Sequence, residues 1–209
     1  MKGSLLTKLI RVGSYLLTHP NEIGKYTKLS INSLNTPVQL ELPWIAFKAI
    51  DVLDDFVERH HQVAEFGGGG STIYFSKRAK SVLCIESSYE WTDVIQKKLN
   101  DLNISNVTIE VFPFDALDEK GYIDSQYNNR ISDEKYDIIL VDGYEESVKL
   151  RTHCFWKAEE SINEGGIIIV DDSWRYPEIR NKNNSKKNII CKSIGPCRPG
   201  VTTTDIFYY

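Results

Sequence analysis

The chain has 209 residues, a net charge of −4, 41% apolar residues and 26% charged residues. This fits one domain of ordinary to large size with a soluble, globular composition. It lacks a run near the ~20 apolar residues of a membrane span, and its net charge does not suggest a general nucleic-acid binder. Its four cysteines, Cys84, Cys154, Cys191 and Cys197, show neither paired metal spacing nor a disulfide framework. A reducing, cytoplasmic setting is the simplest expectation.

Taken in chain order, Leu5, Leu6, Leu9, Ile10, Leu16 and Leu17 repeat at helical spacing, with Lys2, Lys8 and Arg11 among them. Lys8 and Arg11 interrupt any signal-peptide core. A basic amphipathic helix can lie on a membrane surface, but such stripes more often pack on the domain or on another subunit, including a second copy of the chain. Pro20 restricts the residue before it and ends this helix. Residues 1–40 read as an accessory helical segment and 41–209 as the main domain. Ile45, Ala46, Ala49, Ile50, Leu53 and Val57 predict a helix between Pro43 and His60.

Strands and helices then alternate. Strands are expected over 62–66, 81–86, 107–111, 136–141, 166–170, 188–194 and 203–209. Helices are expected from the glycines to about 79, over 91–102 and over about 146–162. Residues 116–135 read as a loop with one helical turn, and 180–188 as a solvated basic loop. The alternation implies an α/β fold, a doubly wound and mostly parallel sheet with helices on both faces.

The most informative stretch is Glu65-Phe66-Gly67-Gly68-Gly69-Gly70-Ser71. A strand ending in a glycine turn that opens a helix lets backbone N–H groups approach a ligand closely. The acid before the turn repels a pyrophosphate and suits a cationic or polyhydroxylated ligand. Glu86 follows about twenty residues after the first glycine, the spacing at which a second-strand carboxylate accepts from ribose hydroxyls. A dinucleotide fingerprint needs a third glycine, where Thr72 or Ile73 stands, so the ligand reads as a nucleoside without a pyrophosphate. Acids also stand at or just past the other strand ends, at Asp115, Asp142, Asp171 and Asp172. That is the edge where open α/β sheets bind ligands, although each acid alone could merely cap a helix.

At these residues the chain resembles the class I S-adenosylmethionine-dependent methyltransferases, over roughly 43–209. The resemblance implies a Rossmann-like, seven-stranded sheet with its last strand antiparallel, and S-adenosylmethionine as cofactor. By resemblance, Glu65, Phe66, Gly67, Gly68, Gly69 and Ser71 hold the methionine part. Glu86 and Ser87 hold the ribose, Asp115 and Ala116 the adenine, and Asp142 ends the fourth strand near the transferred methyl. Ser71 stands where the family's third alternating glycine would be. Segments such as Glu86-Ser87-Ser88-Tyr89-Glu90-Trp91 are also similar to a bacterial branch of small methyltransferases.

The expected reaction is methylation, at oxygen, of a small-molecule or glycan-like acceptor, with no nucleic-acid partner. An oxygen nucleophile must lose its proton to a base or to a metal. Asp142 is the candidate base. Asp142, Asp171 and Asp172 are the candidate ligands for Mg²⁺, similar to the metal-dependent O-methyltransferases. Trp174 and Tyr176 either line a substrate pocket or clasp the helix layer, and His153 is expected to be a surface or packing residue. The alternatives are a nucleoside-cofactor transferase of another kind, or a methyltransferase-fold interaction module without catalysis.

Overall fold

The computed structural model describes residues 5–30, 35–145 and 150–209. Its strands are β1 (Gln62–Phe66), β2 (Ser81–Glu86), β3 (Val107–Val111), β4 (Tyr136–Val141), β5 (Ile162–Val170), β6 (Lys187–Ile194) and β7 (Val201–Tyr208). The helices begin with α1 (Leu5–Thr18), α2 (Ile23–Lys25), α3 (Pro37–Leu40), α4 (Phe47–Phe56) and α5 (Gly70–Ser76). They continue with α6 (Tyr89–Asp101), α7 (Glu119–Ile123), α8 (Gln126–Asn129), α9 (Leu150–Ser161) and α10 (Pro177–Asn181). The first four residues of the helix expected over 146–162 lie outside the described residues. The loop expected over 116–135 contains two short helices rather than one turn.

The strands form one seven-stranded sheet in the order β3-β2-β1-β4-β5-β7-β6. The first five are parallel, and β7 lies antiparallel between β5 and β6. This is the Rossmann-like methyltransferase sheet that the resemblance implied. The central strands are buried on both faces, which is why they read as apolar runs rather than alternating ones. Because side chains alternate, Ala64, Phe66, Ile139, Val141, Ile168 and Val170 point into one core with α7 to α10. Val63, Ile138, Leu140, Ile167 and Ile169 point into the other with α1, α4 and α5.

The amino-terminal segment shares this second core. Val12 and Tyr26 are buried in it, and Ser30 Oγ donates to the Gly195 carbonyl at 2.7 Å. Leu6, Ile10 and Leu17 remain exposed, so α1 packs one flank and presents apolar residues on the other. The basic loop before β6 sits at the amino end of β5, where Lys186 N–H donates to Tyr208 O and its ammonium pairs with Glu164.

Register places the functional edge. Gly67 N–H donates to Ile85 O, Asp142 N–H to Phe66 O, and Asp171 N–H to Val141 O. These bonds continue the ladder one residue past each strand and set Gly67, Glu86, Asp142 and Asp171 side by side. The sheet order reverses between β1 and β4, the crevice where such sheets bind ligands. There the two backbones nearly touch. A Cβ on Gly67, whose φ is +84°, would stand 2.7 Å from Gly143 Cα.

Candidate functional site

A cavity of about 520 Å³ opens at this switch point. Gly67, Gly68, Gly69, Gly70 and Ser71 form its floor, with Glu86, Ser87 and Ser88 on one side and Asp142, Tyr144 and Arg151 on the other. Pro37, Trp44 and Trp91 complete the lining. Of the residues expected to hold a cofactor, Gly67, Gly68, Gly69, Ser71, Glu86, Ser87 and Asp142 meet here. Glu65 and Phe66 are fully buried and support the loop from beneath. Asp115 is exposed and its Oδ1 accepts from Leu117 N–H at 2.9 Å, closing a turn after β3. Neither Asp115 nor the buried Ala116 beside it is among the lining residues.

The glycine loop is held by side chains of its own neighbourhood. Ser71 Oγ donates to Glu65 Oε2 at 2.6 Å, and Thr72 Oγ1 donates to Glu65 Oε1 while accepting from Gly69 N–H at 2.9 Å. Burial pushes the Glu65 carboxyl up to about 7, against the lowering effect of those hydroxyls. Trp91 Nε1 donates to Gly68 O at 2.8 Å, so the indole is fixed over the loop. Ser88 caps α6 by accepting from Trp91 N–H at 3.2 Å.

A Cβ on Gly70 would lie 2.1 Å from Leu42 O and 2.5 Å from Pro37 O, both backbone atoms. The segment around α3 therefore rests directly on the loop. We expect Gly70→Ala to cost about 1–3 kcal/mol through overpacking, measured by urea unfolding. Parental stability in this variant would mean that the segment does not rest there.

Glu86 is pre-oriented by backbone. Its Oε1 accepts from Ser87 and Ser88 N–H at 2.7 and 3.1 Å, and its Oε2 from Gly68 N–H at 2.8 Å. A carboxylate offers about four lone-pair sites, so one remains on Oε2 at the cavity wall. Gly69 is the loop glycine without close packing. A Cβ there would meet only the Trp91 ring, at 3.9 Å, which leaves the loop's backbone open to the cavity.

The acids at the β4 and β5 ends form an ion-pair network with two arginines. Arg151 pairs with Asp142 Oδ1 at 3.0 Å and also donates to the carbonyls of Gly143, Asp171 and Asp142 at 2.9, 3.0 and 3.2 Å. Arg198 lies 3.4 Å from both Asp171 Oδ2 and Asp172 Oδ1. Thr204 donates to Asp171 and Thr202 to Asp172, each at 2.7 Å. Burial raises the Asp142 carboxyl, Arg151 opposes it and Asp171 reinforces it, and the net direction is upward. Burial raises Asp171 as well, against Arg198. At Asp172 burial is outweighed by Arg198 and Thr202, and its carboxyl lies below the usual range. The three acids expected to hold Mg²⁺ thus face guanidinium groups. Among the described residues, no group of three or more His, Cys, Asp or Glu side chains is arranged to hold a metal ion.

A second cavity of about 260 Å³ adjoins the first across Trp44, which lines both. Trp174 lines it, while Tyr176 is buried in the helix-layer core. His153 pairs with Glu119 at 2.9 Å on the outer face of α9. Sequence reasoning missed Trp44, Trp91, Tyr144 and Arg151. Trp44 and Trp91 carried a signal, since Pro43-Trp44 and the segment that Trp91 closes are both similar to the bacterial branch.

No protein-family model matches the chain, and no curated protein matches it. Solved structures do. A protein from Streptococcus mutans, described as a methyltransferase and solved in complex with SAH, superposes with a TM-score of 0.55 at 16% identity, covering 84% of this chain and 99% of that one. A protein from Klebsiella pneumoniae described as an O-methyltransferase gives 0.55 at 15% identity, covering 100% and 90%. One from Clostridium thermocellum described as an rRNA methylase gives 0.55 at 19% identity, covering 78% and 96%. These neighbours differ in what they are described as acting on, and they lend no support to the expected exclusion of nucleic acid. Among the described residues no helix is long and apolar enough to cross a membrane. With its sheet order, its antiparallel β7 and these superpositions, the chain has the fold of the class I S-adenosylmethionine-dependent methyltransferases.

Proposed function

We propose that the chain is an S-adenosylmethionine-dependent methyltransferase acting at an oxygen of a small-molecule or glycan-like acceptor. The observation that carries this reading is the cavity shared by the glycine loop, Glu86 and Asp142. Its volume of about 520 Å³ falls in the usual range of small-molecule sites, roughly 300–1,000 Å³. Its donor set fits the cofactor. Glu86 keeps one acceptor site for a ribose hydroxyl, the open backbone at Gly69 can approach the methionine part, and Ser87 sits beside Glu86.

S-adenosylmethionine, when bound, supplies an electrophilic methyl group on a sulfonium. The chain's own residues place the acceptor and handle its proton. Asp142 lines the cavity at the switch point, and burial raises its carboxyl toward the range in which a general base works well near neutral pH. It takes the acceptor's hydroxyl proton as oxygen becomes the nucleophile. Arg151 fixes that carboxylate, and placement itself lowers the barrier. Arg151 and Arg198 supply the positive charge that a cation would otherwise bring to these acids.

Thermal unfolding with S-adenosylhomocysteine and, separately, NAD tests the reading. Ligand at ~100 times its Kd stabilises a fold by ~2.7 kcal/mol, so S-adenosylhomocysteine should raise the melting temperature and NAD should not. In Glu86→Ala the ligand-induced shift disappears, whatever the variant's own stability. An unchanged shift would refute the ribose assignment, and no shift in the parent chain would favour the interaction module.

A further inference from the structure

We propose that the second cavity is the acceptor subsite and that it takes a small anionic molecule carrying a ring. The word acceptor rests on the methyl-transfer reading, while the anion preference rests on the cavity alone. Lys8, Arg11, Arg198 and Asp172 line it; Arg198 is already met by Asp171 and Asp172, so the positive charge of this wall comes from Lys8 and Arg11. That balance runs against the net charge of the chain, −4. Lys8 and Arg11 stand three residues apart on α1 and so share one face of the helix. Trp44 and Trp174 flank the same space and keep 47% and 37% of their surface exposed, an arrangement suited to stacking against a ring.

The position is equally specific. Arg198 NH2 donates to Trp44 O at 2.9 Å, and its guanidinium lies 5.0 Å from the Trp44 ring centroid. The same guanidinium pairs with Asp171, whose charge acts on Asp142 in the neighbouring cavity. A molecule with its anionic end at Lys8 and Arg11 and its ring between the tryptophans would extend toward Asp142, where its hydroxyl would be methylated. Residues 5–18 thereby acquire a role in the site. A pocket of about 260 Å³ fits a sugar phosphate or an aromatic acid better than a polymer, which would need an extended basic surface.

Phenyl phosphate is the probe, with phenol and inorganic phosphate as controls, read by tryptophan fluorescence at low ionic strength. We expect saturable quenching by phenyl phosphate at least tenfold tighter than by either control, weakening as salt is raised. Lys8→Ala/Arg11→Ala should lose at least tenfold in phenyl phosphate affinity and keep the parental thermal shift with S-adenosylhomocysteine. Two results would overturn the proposal: no saturable quenching in a chain that S-adenosylhomocysteine stabilises, or equal affinity in the double variant. An RNA oligonucleotide that binds more tightly than phenyl phosphate and depends on Lys8 and Arg11 would also overturn it, in favour of a nucleic-acid acceptor. Failure of the S-adenosylhomocysteine shift alone removes the methyl-transfer reading and leaves the anion subsite to be decided by phenyl phosphate.

Discussion

Arg151→Ala should lower the unfolding free energy by about 3–5 kcal/mol, the usual cost of stranding one partner of a buried ion pair. The side chain is 12% exposed and Asp142 is 23% exposed, so water recovers little of the lost interaction. The damage exceeds one ion pair. The guanidinium also donates to three carbonyl oxygens, those of Asp142, Gly143 and Asp171. Removing it leaves the turns after β4 and β5 with unpaired acceptors, and of these contacts to α9 only the backbone N–H of residue 151 on Glu145 Oε2 remains. Arg151→Lys should recover only part of the loss, because one ammonium cannot reproduce the planar fork that reaches those atoms together. Urea unfolding of the parent chain and both variants decides the matter. A loss below about 1 kcal/mol in Arg151→Ala would show that the network contributes little to the fold.

Stability should also fall as pH rises through neutrality, and Glu65 gives a separable part of that fall beside Asp142 and Asp171, which burial raises as well. The carboxyl is fully buried, and burial lifts it from the ordinary 4.5 to about 7. A group with a raised folded-state pKa holds its proton more tightly in the folded chain than in the unfolded one. Its contribution is complete below about 4.5 and is lost as pH climbs through about 7. The difference between the two pKa values corresponds to a loss of about 2–3 kcal/mol between pH 5 and pH 8. Glu65→Gln removes the titration, so its stability should vary less over that interval by the same amount. Histidines and other carboxylates titrate alike in both proteins, and subtraction isolates Glu65. Parallel pH profiles for the two chains would refute this account.

The strands were legible because burial on both faces writes them as apolar runs: Tyr136–Val141 and the Ile167–Val170 stretch could be little else. The start of β5 was not. It reaches back to Ile162, which pairs with Tyr136 across an irregular register, and passes through Gly165 in the left-handed region, whereas the apolar run that marks the strand begins only at Gly166. The acids of the site were readable because strand ends are marked in the sequence. Their partners were not readable. Arg151 binds mostly backbone carbonyls, which leave no pattern at any spacing. Arg198 comes from the β6–β7 connection, 26 and 27 residues from the two acids it faces. Trp44 joins the two cavities only because the chain before β1 folds back over the glycine loop. The acids alone suggested a metal site, and the arginines that meet them became visible only in three dimensions.

The placement of β7 has a consequence for how the chain must be made. Because β7 lies between β5 and β6, β5 has no neighbour on its outer side until residues 205–208 have been synthesised. A nascent or truncated chain lacking them presents Ile167 to Val170 as a bare apolar edge, the kind of template that recruits other chains into aggregates. The same missing strand carries Thr202 and Thr204, the hydroxyls that hold Asp172 and Asp171. Protection from aggregation and completion of the acidic edge therefore arrive together, with the same strand.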